Sequence, residues 1–192
     1  MNQQEQKGLL TKPILSVISG GMKSLLATMC MIKDGEFAEA FNIHCVYREQ
    51  IKNERNVANQ YIEDMGQRLR EVKLDLRKSE GYLHSLILTH AISYAHKWGI
   101  KDIVCGMDET DIIKSMRKDY DINIHTPMHK KSKAEQFKIA KELNILDLVN
   151  YHSISDENGD LTMNEWGRGK LDNESSKLTK AGYDEALKKE WI

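Results

Sequence analysis

The sequence predicts an α/β protein built on a doubly wound parallel sheet with helices on both faces. Three observations carry that expectation. Short apolar runs of strand length alternate with longer stretches whose apolar residues recur at helical spacing, the pattern of successive βαβ units. The first unit turns on a glycine pair, Gly20-Gly21, where a strand gives way to a helix. Finally, 192 residues with 40% hydrophobic and 30% charged side chains are enough for one soluble, globular domain with a sizeable core.

Taken in order, residues 1–12 read as a polar tail and residues 13–192 as the domain. Ile14–Ile18 is a short apolar run with β-branched residues, a buried strand. Ser19-Gly20-Gly21 breaks it, and from Ser24 the apolar positions follow helical spacing. Phe41–Tyr47 reads as a second strand. From Glu54 to Val72 the residues Val57, Ile62, Met65 and Leu69 predict a helix that ends near Leu74. Tyr82–Trp98 predicts another, with Gly99 as its stop signal. Asp102–Gly106 is a buried strand ending in glycine, Thr126-Pro127 opens a turn, and Lys133–Leu143 makes a further helix. Asp147–Tyr151 is expected as a last, polar-edged strand. No internal repeat or low-complexity linker interrupts the pattern.

The chemistry concentrates at the first turn. A strand, a glycine turn and a helix in that order present free backbone N–H groups at a helix N-terminus, which favours an anion and above all a phosphate. The glycines let the loop approach a ligand without a Cβ and adopt a positive φ. Ser19, Gly20, Gly21, Met22, Lys23 and Ser24 are therefore the candidate phosphate- or nucleotide-binding residues. The plainer alternative is an ordinary strand-to-helix turn. In a parallel sheet this loop would lie at the carboxyl ends of the strands, where such folds bind ligands.

This segment resembles the pyrophosphate loop of the PP-loop ATPases, S-G-G-x-D-S, with matches at Ser19, Gly20, Gly21 and Ser24. The resemblance implies an adenine nucleotide alpha hydrolase-like fold and substrate activation by adenylation with ATP. Within that superfamily the chain looks most like 7-cyano-7-deazaguanine synthase, a queuosine-pathway family. The later motifs carry this likeness: Tyr47 with Glu54 and Ala58, then Gly106, Asp108 and Asp111 in a G-x-N-x-x-D frame. Thr126, Pro127 and Met128 follow, then Ser132, Lys133 and Glu135, and finally Ala181-Gly182-Tyr183. Tyr47, Gly106, Asp108, Asp111 and Lys133 are thereby candidate neighbours of the loop. The family implies ATP as cofactor, conversion of a carboxylate to a nitrile with ammonia, a four-cysteine zinc site and a homodimer.

Departures from the family pattern are equally specific. The residues after Tyr47 are Arg48-Glu49-Gln50-Ile51 instead of G-Q-R-H, and Ser115–Lys118 stands where Y-P-D-C is expected. The segment 151–192 is diverged and holds no cysteine, so zinc, which needs soft thiolate or imidazole ligands, is not expected. Lys23 replaces the acidic residue of the loop. An ammonium cannot hold magnesium, although it can attract a phosphate directly as a point charge. Of the two placements for Lys23, pointing to solvent beside an empty loop is preferred over facing a ligand.

The remaining groups read more plainly. Cys30, Cys45 and Cys105 look like core thiols of a reducing compartment, and the cytoplasm is the expected location. His125, His129 and His152 lack metal spacing and read as surface or satisfied side chains. Lys114, Arg117, Lys118, Lys130, Lys131, Lys133, Lys138 and Lys141 make a basic stretch, read as a solvated helix face. With a net charge of −1 nothing calls for nucleic acid, and no run is long enough to cross a membrane. Trp166, Tyr183 and Trp191 read as packing anchors. Two classes of function remain. The favoured one is a catalytically impaired relative kept as a phosphate-, nucleotide- or partner-binding module. The alternative is an active ATP-dependent enzyme of the deazaguanine type that works without zinc.

Overall fold

A computed structural model describes residues 12–33, 37–46, 69–73, 83–155 and 160–192. In chain order the elements are β1 (Lys12–Val17), α1 (Met22–Lys33), β2 (Phe37–Val46), β3 (Leu69–Lys73), α2 (Leu83–Lys97), β4 (Asp102–Cys105), α3 (Asp111–Tyr120) and β5 (Asn123–His125). They continue with α4 (Lys133–Glu142), α5 (Leu146–His152), β6 (Met163–Asn164), β7 (Gly167–Arg168) and α6 (Glu174–Lys188). The first five strands form one sheet in the order β3-β2-β1-β4-β5, and every neighbouring pair is parallel. β6 and β7 form a small antiparallel hairpin. The fold class is the expected one.

Alternation along the central strands explains the two layers of helices. Leu15 and Val17 of β1, with Ile103 and Cys105 of β4, share a core with Ile87, Leu88, Ala91 and Ala95 of α2 and Ile113 of α3. Ile14 and Val104, one position out of phase, join Leu25 and Leu26 of α1, Phe137 and Ala140 of α4, Val149 of α5 and Ala186 of α6 on the opposite face. A period of two sends successive side chains to opposite sides. A strand covered on both sides must therefore be apolar throughout, as Ile14–Ile18 is. Ser16 is the polar exception, and its Oγ bonds Thr28 Oγ1 of α1 in the buried interface. Trp166 is buried in the second core, with Tyr183 and Trp191 packed against it, as expected of packing anchors.

Several elements differ from the sequence reading. Residues 147–151 lie within helix α5 rather than a strand: Val149 is its buried apolar residue, and a short apolar run does not distinguish the two states by itself. Residues 69–72 belong to strand β3, which pairs in parallel with β2, so the helix expected there does not reach Val72. The rest of that predicted helix, and Tyr47, lie outside the described residues. β1 takes in Lys12, the last residue of the expected polar tail, and β2 begins at Phe37 rather than Phe41. The elements α3, β5 and α6 carried no apolar periodicity strong enough to be read. Ile113 is the one buried residue of α3, and its ends are set by the Thr110 cap and the left-handed Asp121 at φ 47°.

Helices α4 and α6 cross closely because Gly182 has no side chain. A Cβ there would stand 2.3 Å from Cβ of Lys133 and 3.0 Å from the Ala134 nitrogen. Alanine is the better helix former by about 1 kcal/mol, so Gly182→Ala sets propensity against packing. Packing should win, with a net loss of about 1–2 kcal/mol in urea denaturation. A stabilised variant would show that the two helices can separate freely.

Candidate anion-binding site

The strand order places a switch point beside β1. The chain passes from β1 to β2 and β3 on one side, then returns to lay β4 and β5 on the other. The connections leaving the carboxyl ends of β1 and β4 therefore diverge and open a crevice. Residues 18–21 form one lip and residues 106–110 the other. Gly106 lets the two meet: a Cβ there would lie 2.6 Å from the Ser24 nitrogen and 2.8 Å from the Lys23 carbonyl carbon.

The β1 lip is shaped by its own polar groups. Gly20 takes φ 83°, a conformation that favours glycine. Ser24 Oγ accepts from the Ser19 N–H at 3.2 Å and donates to the Gly21 carbonyl at 2.9 Å. The Ile154 N–H donates to the Gly20 carbonyl at 3.2 Å, which ties the segment after α5 to the loop. Ser19 and Ser24 thus fix the turn, while the N–H groups of the first helical turn have no intrahelical acceptor.

Lys23 does not point to solvent beside the loop. Its Nζ lies 2.7 Å from Oδ2 of Asp108, across the crevice, and its side chain is only about one quarter exposed. The sequence preference for a solvent-facing lysine is corrected by this ion pair. Asp108 is held in place by a second contact: its Oδ1 accepts the Lys130 N–H at 3.0 Å. His129 Nδ1 stands 3.5 Å from the same oxygen and accepts the Glu109 N–H at 3.1 Å. Hydrogen bonding from Lys23 leads the effects that hold the Asp108 carboxyl below its ordinary range.

Lys133 completes the cluster. It is the first residue of α4, positioned by a capping box in which Ser132 Oγ accepts the Glu135 N–H and Glu135 accepts the Ser132 N–H. Burial, and then the charge of Lys23, push the Lys133 ammonium below its usual pKa. Lys133 and Lys23 sense each other while the Asp108 carboxylate pairs with Lys23, so this corner holds two ammonium groups for one carboxylate. That arrangement can accept a small anion without a metal ion.

The other expected residues divide. Gly106 packs on Lys23 and Ser24, Asp108 pairs with Lys23, and Lys133 senses the charge of Lys23. Asp111 does none of these: it opens α3, is fully exposed, and pairs with Lys114 at 3.1 Å in its own helix. The basic stretch is not uniformly a solvated face, because Lys133 is half-buried and Arg117 reaches inward to the Ile124 carbonyl at 2.8 Å and to Glu109 at 3.2 Å. His129 and Lys130 were missed as neighbours of Asp108; their contacts arise from a turn that no spacing rule reads. His125 is satisfied by Asp102 at 2.8 Å. Cys105 is buried, and that burial raises its thiol pKa, whereas Cys30 is only half-buried. Among the described residues no three His, Cys, Asp or Glu side chains gather as metal ligands, and no helix is long and apolar enough to cross a membrane.

No family model matches the chain. Among solved structures it is similar to the U34-tRNA thiolase NcsA from Methanococcus maripaludis, determined with its [4Fe-4S] cluster. The TM-score is 0.50 at 12% identity, over 93% of this chain and 67% of that one. It is also similar to a predicted subunit of tRNA methyltransferase from Methanocaldococcus jannaschii, with a TM-score of 0.48 at 18% identity over 68% of this chain and 75% of that one. The likeness is one of fold. With the thiolase the chain shares an α/β fold.

The ion pair has a pH signature. A carboxylate whose folded pKa is depressed contributes stability above its unfolded pKa and loses it as pH falls through the folded value. Urea denaturation at stepped pH should therefore show the wild type losing more stability than Asp108→Asn as pH falls from 5 towards 3. Parallel curves would mean that Lys23 and Asp108 do not interact in solution.

Proposed function

We propose that the chain is a diverged PP-loop protein, nearest in its motifs to 7-cyano-7-deazaguanine synthase, that binds a phosphate-bearing ligand without magnesium-dependent turnover of ATP. The observation carrying this reading is the Lys23–Asp108 contact of 2.7 Å at the mouth of the switch-point crevice. In the family pattern the loop residue is acidic and the G-x-N-x-x-D frame has asparagine where Asp108 stands; here the loop carries the cation and the segment after β4 the carboxylate. An ammonium in the place of a metal-binding carboxylate repels a divalent cation, but it can turn from Asp108 to a phosphate oxygen. The half-buried charge of Lys133 supports the same reading, since an ammionium desolvated beside another lysine is unfavourable until an anion joins it.

The tRNA named for the two solved neighbours is not part of this proposal. The net charge is −1, and Lys114, Arg117, Lys131 and Lys138 are each paired with a carboxylate. Nor is an iron–sulfur cluster: among the described residues no three His, Cys, Asp or Glu side chains gather as metal ligands.

Thermal denaturation with inorganic phosphate, pyrophosphate and ATP tests the reading. Linkage predicts about 2.7 kcal/mol at a hundredfold excess over Kd, a rise of several degrees for a domain of this size. The rise should survive EDTA, and Lys23→Ala should reduce it. A rise that requires magnesium in the wild type would contradict the charge replacement.

Lys133 gives a separate check. Lys133→Met removes a desolvated charge, so it should raise the melting temperature at neutral pH while weakening the response to phosphate. The wild type should also gain stability relative to this variant as pH rises towards the ordinary lysine pKa, because the folded state releases that proton first. A variant that is less stable yet keeps the full phosphate response would assign Lys133 to packing alone.

A further inference from the structure

The turn after β5 sets one imidazole between two partners that it cannot hold together. Thr126-Pro127-Met128-His129 is closed by the His129 N–H on the Thr126 carbonyl at 2.9 Å, with proline at the second position of the turn. Met128 is buried, and Lys130 follows in the left-handed region at φ 57°. The backbone on either side of His129 is thereby fixed. Its ring is partly open to solvent, and Nδ1 both accepts the Glu109 N–H at 3.1 Å and lies 3.5 Å from Asp108 Oδ1.

The proton on that nitrogen decides which partner is kept. A neutral ring with its lone pair on Nδ1 accepts an N–H and has nothing to give a carboxylate there. Once protonated, Nδ1 is a donor: it must release the Glu109 N–H, and Asp108 Oδ1 stands within reach. Asp108 is ionised throughout the range in which imidazoles titrate, because hydrogen bonding from Lys23, above all, holds its carboxyl below the ordinary value. A carboxylate that gains a second cation holds the first less firmly. Lys23 is then freer to turn to an anion, and the new positive charge beside the crevice acts in the same direction.

We propose that His129 gates the anion site by pH: its protonation competes with Lys23 for Asp108 and tightens the binding of a doubly charged anion at the glycine loop. This adds regulation to the anion reading above and rests on it. The other charged groups around the ring are accounted for. The Glu109 carboxylate pairs with Arg117 of α3 at 3.2 Å, and hydrogen bonding from Arg117 first of all keeps it ionised. Lys130, next in the turn, reaches Asp108 through its backbone N–H, and Lys23 comes from α1. Lys133 of α4 gives up its proton more readily than an ordinary lysine because of burial and then the charge of Lys23. Its effect persists when His129 is replaced, so the two are separable.

Sulfate is the probe, since it keeps two negative charges between about pH 5 and 8, where imidazoles change charge and phosphate does too. Titration of the full chain, followed by the amide NMR shifts of Gly20, Gly21 and Met22, should give a Kd about tenfold lower at the acid end of that range, an ordinary coupling between two sites. Linkage then requires saturating sulfate to raise the midpoint of the His129 ring titration by about one pH unit. His129→Gln retains an acceptor for the Glu109 N–H but cannot ionise, and should lose this dependence. Asp108→Asn deprives Lys23 of its carboxylate, so it should bind sulfate more tightly at the alkaline end and respond little to pH. Equal pH dependence in His129→Gln and the wild type, or a His129 midpoint that sulfate does not move, would overturn the gating and leave the anion site standing. No shift of the loop amides at any pH would overturn the anion reading and the gating with it.

Discussion

Strand β1 is the constraint from which the rest of the structure follows. It has a neighbour on each edge, β2 and β4, and helices against each face. Nothing polar can leave it sideways without losing its hydrogen bonds, so its chemistry is displaced to the end where the chain emerges. The same strand separates the two directions in which the sheet grows. The crevice, the glycine loop and the start of α1 are consequences of that single placement. A charged residue at Leu15 or Ile14 would be buried without a partner, which explains why the run is apolar except at Ser16, whose hydroxyl is paired with Thr28.

The exchange of charge between the two lips gives the crevice its character. A carboxylate on the loop with an amide opposite would leave a place for a divalent cation. An ammonium on the loop with a carboxylate opposite supplies its own counter-charge. Such a pair is half-exposed and contributes little to stability by itself. Its significance is that Lys23 already has a counter-charge within the protein, so that on the proposed reading an anion competes with Asp108 for it. Affinity and selectivity are then set by one movable side chain instead of by a metal.

Much of this was legible in the residues, and the limits have physical causes. The central strands and the glycine loop could be read because burial on both faces forces an unbroken apolar run and because a turn into a helix needs glycine. The helices α1, α2 and α4 showed their apolar stripe. Helix α5 was misread because the short run Leu146–Val149 satisfies either period, and strand β3 because Leu69 and Val72, three apart, fit helical spacing. α3 stayed hidden since one buried isoleucine makes no stripe. Motif spacing singled out Gly106, Asp108, Lys133 and Asp111; the first two lie against the first helical turn, whereas Asp111 pairs within its own helix. The partner of Lys23 could not be read at all. It depends on β4 lying next to β1, which is a property of the sheet order and not of any local spacing.

The hydrogen bond from Ile154 to the Gly20 carbonyl also bears on the history of each molecule as it is made. The loop is made well before Ile154, but one of its carbonyls is satisfied only when that residue arrives. Long-range closures of this kind come late because the intervening chain must be ordered first. During synthesis the β1 strand and α1 can form while the loop between them stays unfinished. The mouth of the crevice thus acquires its final shape only after the segment that carries Ile154 has folded.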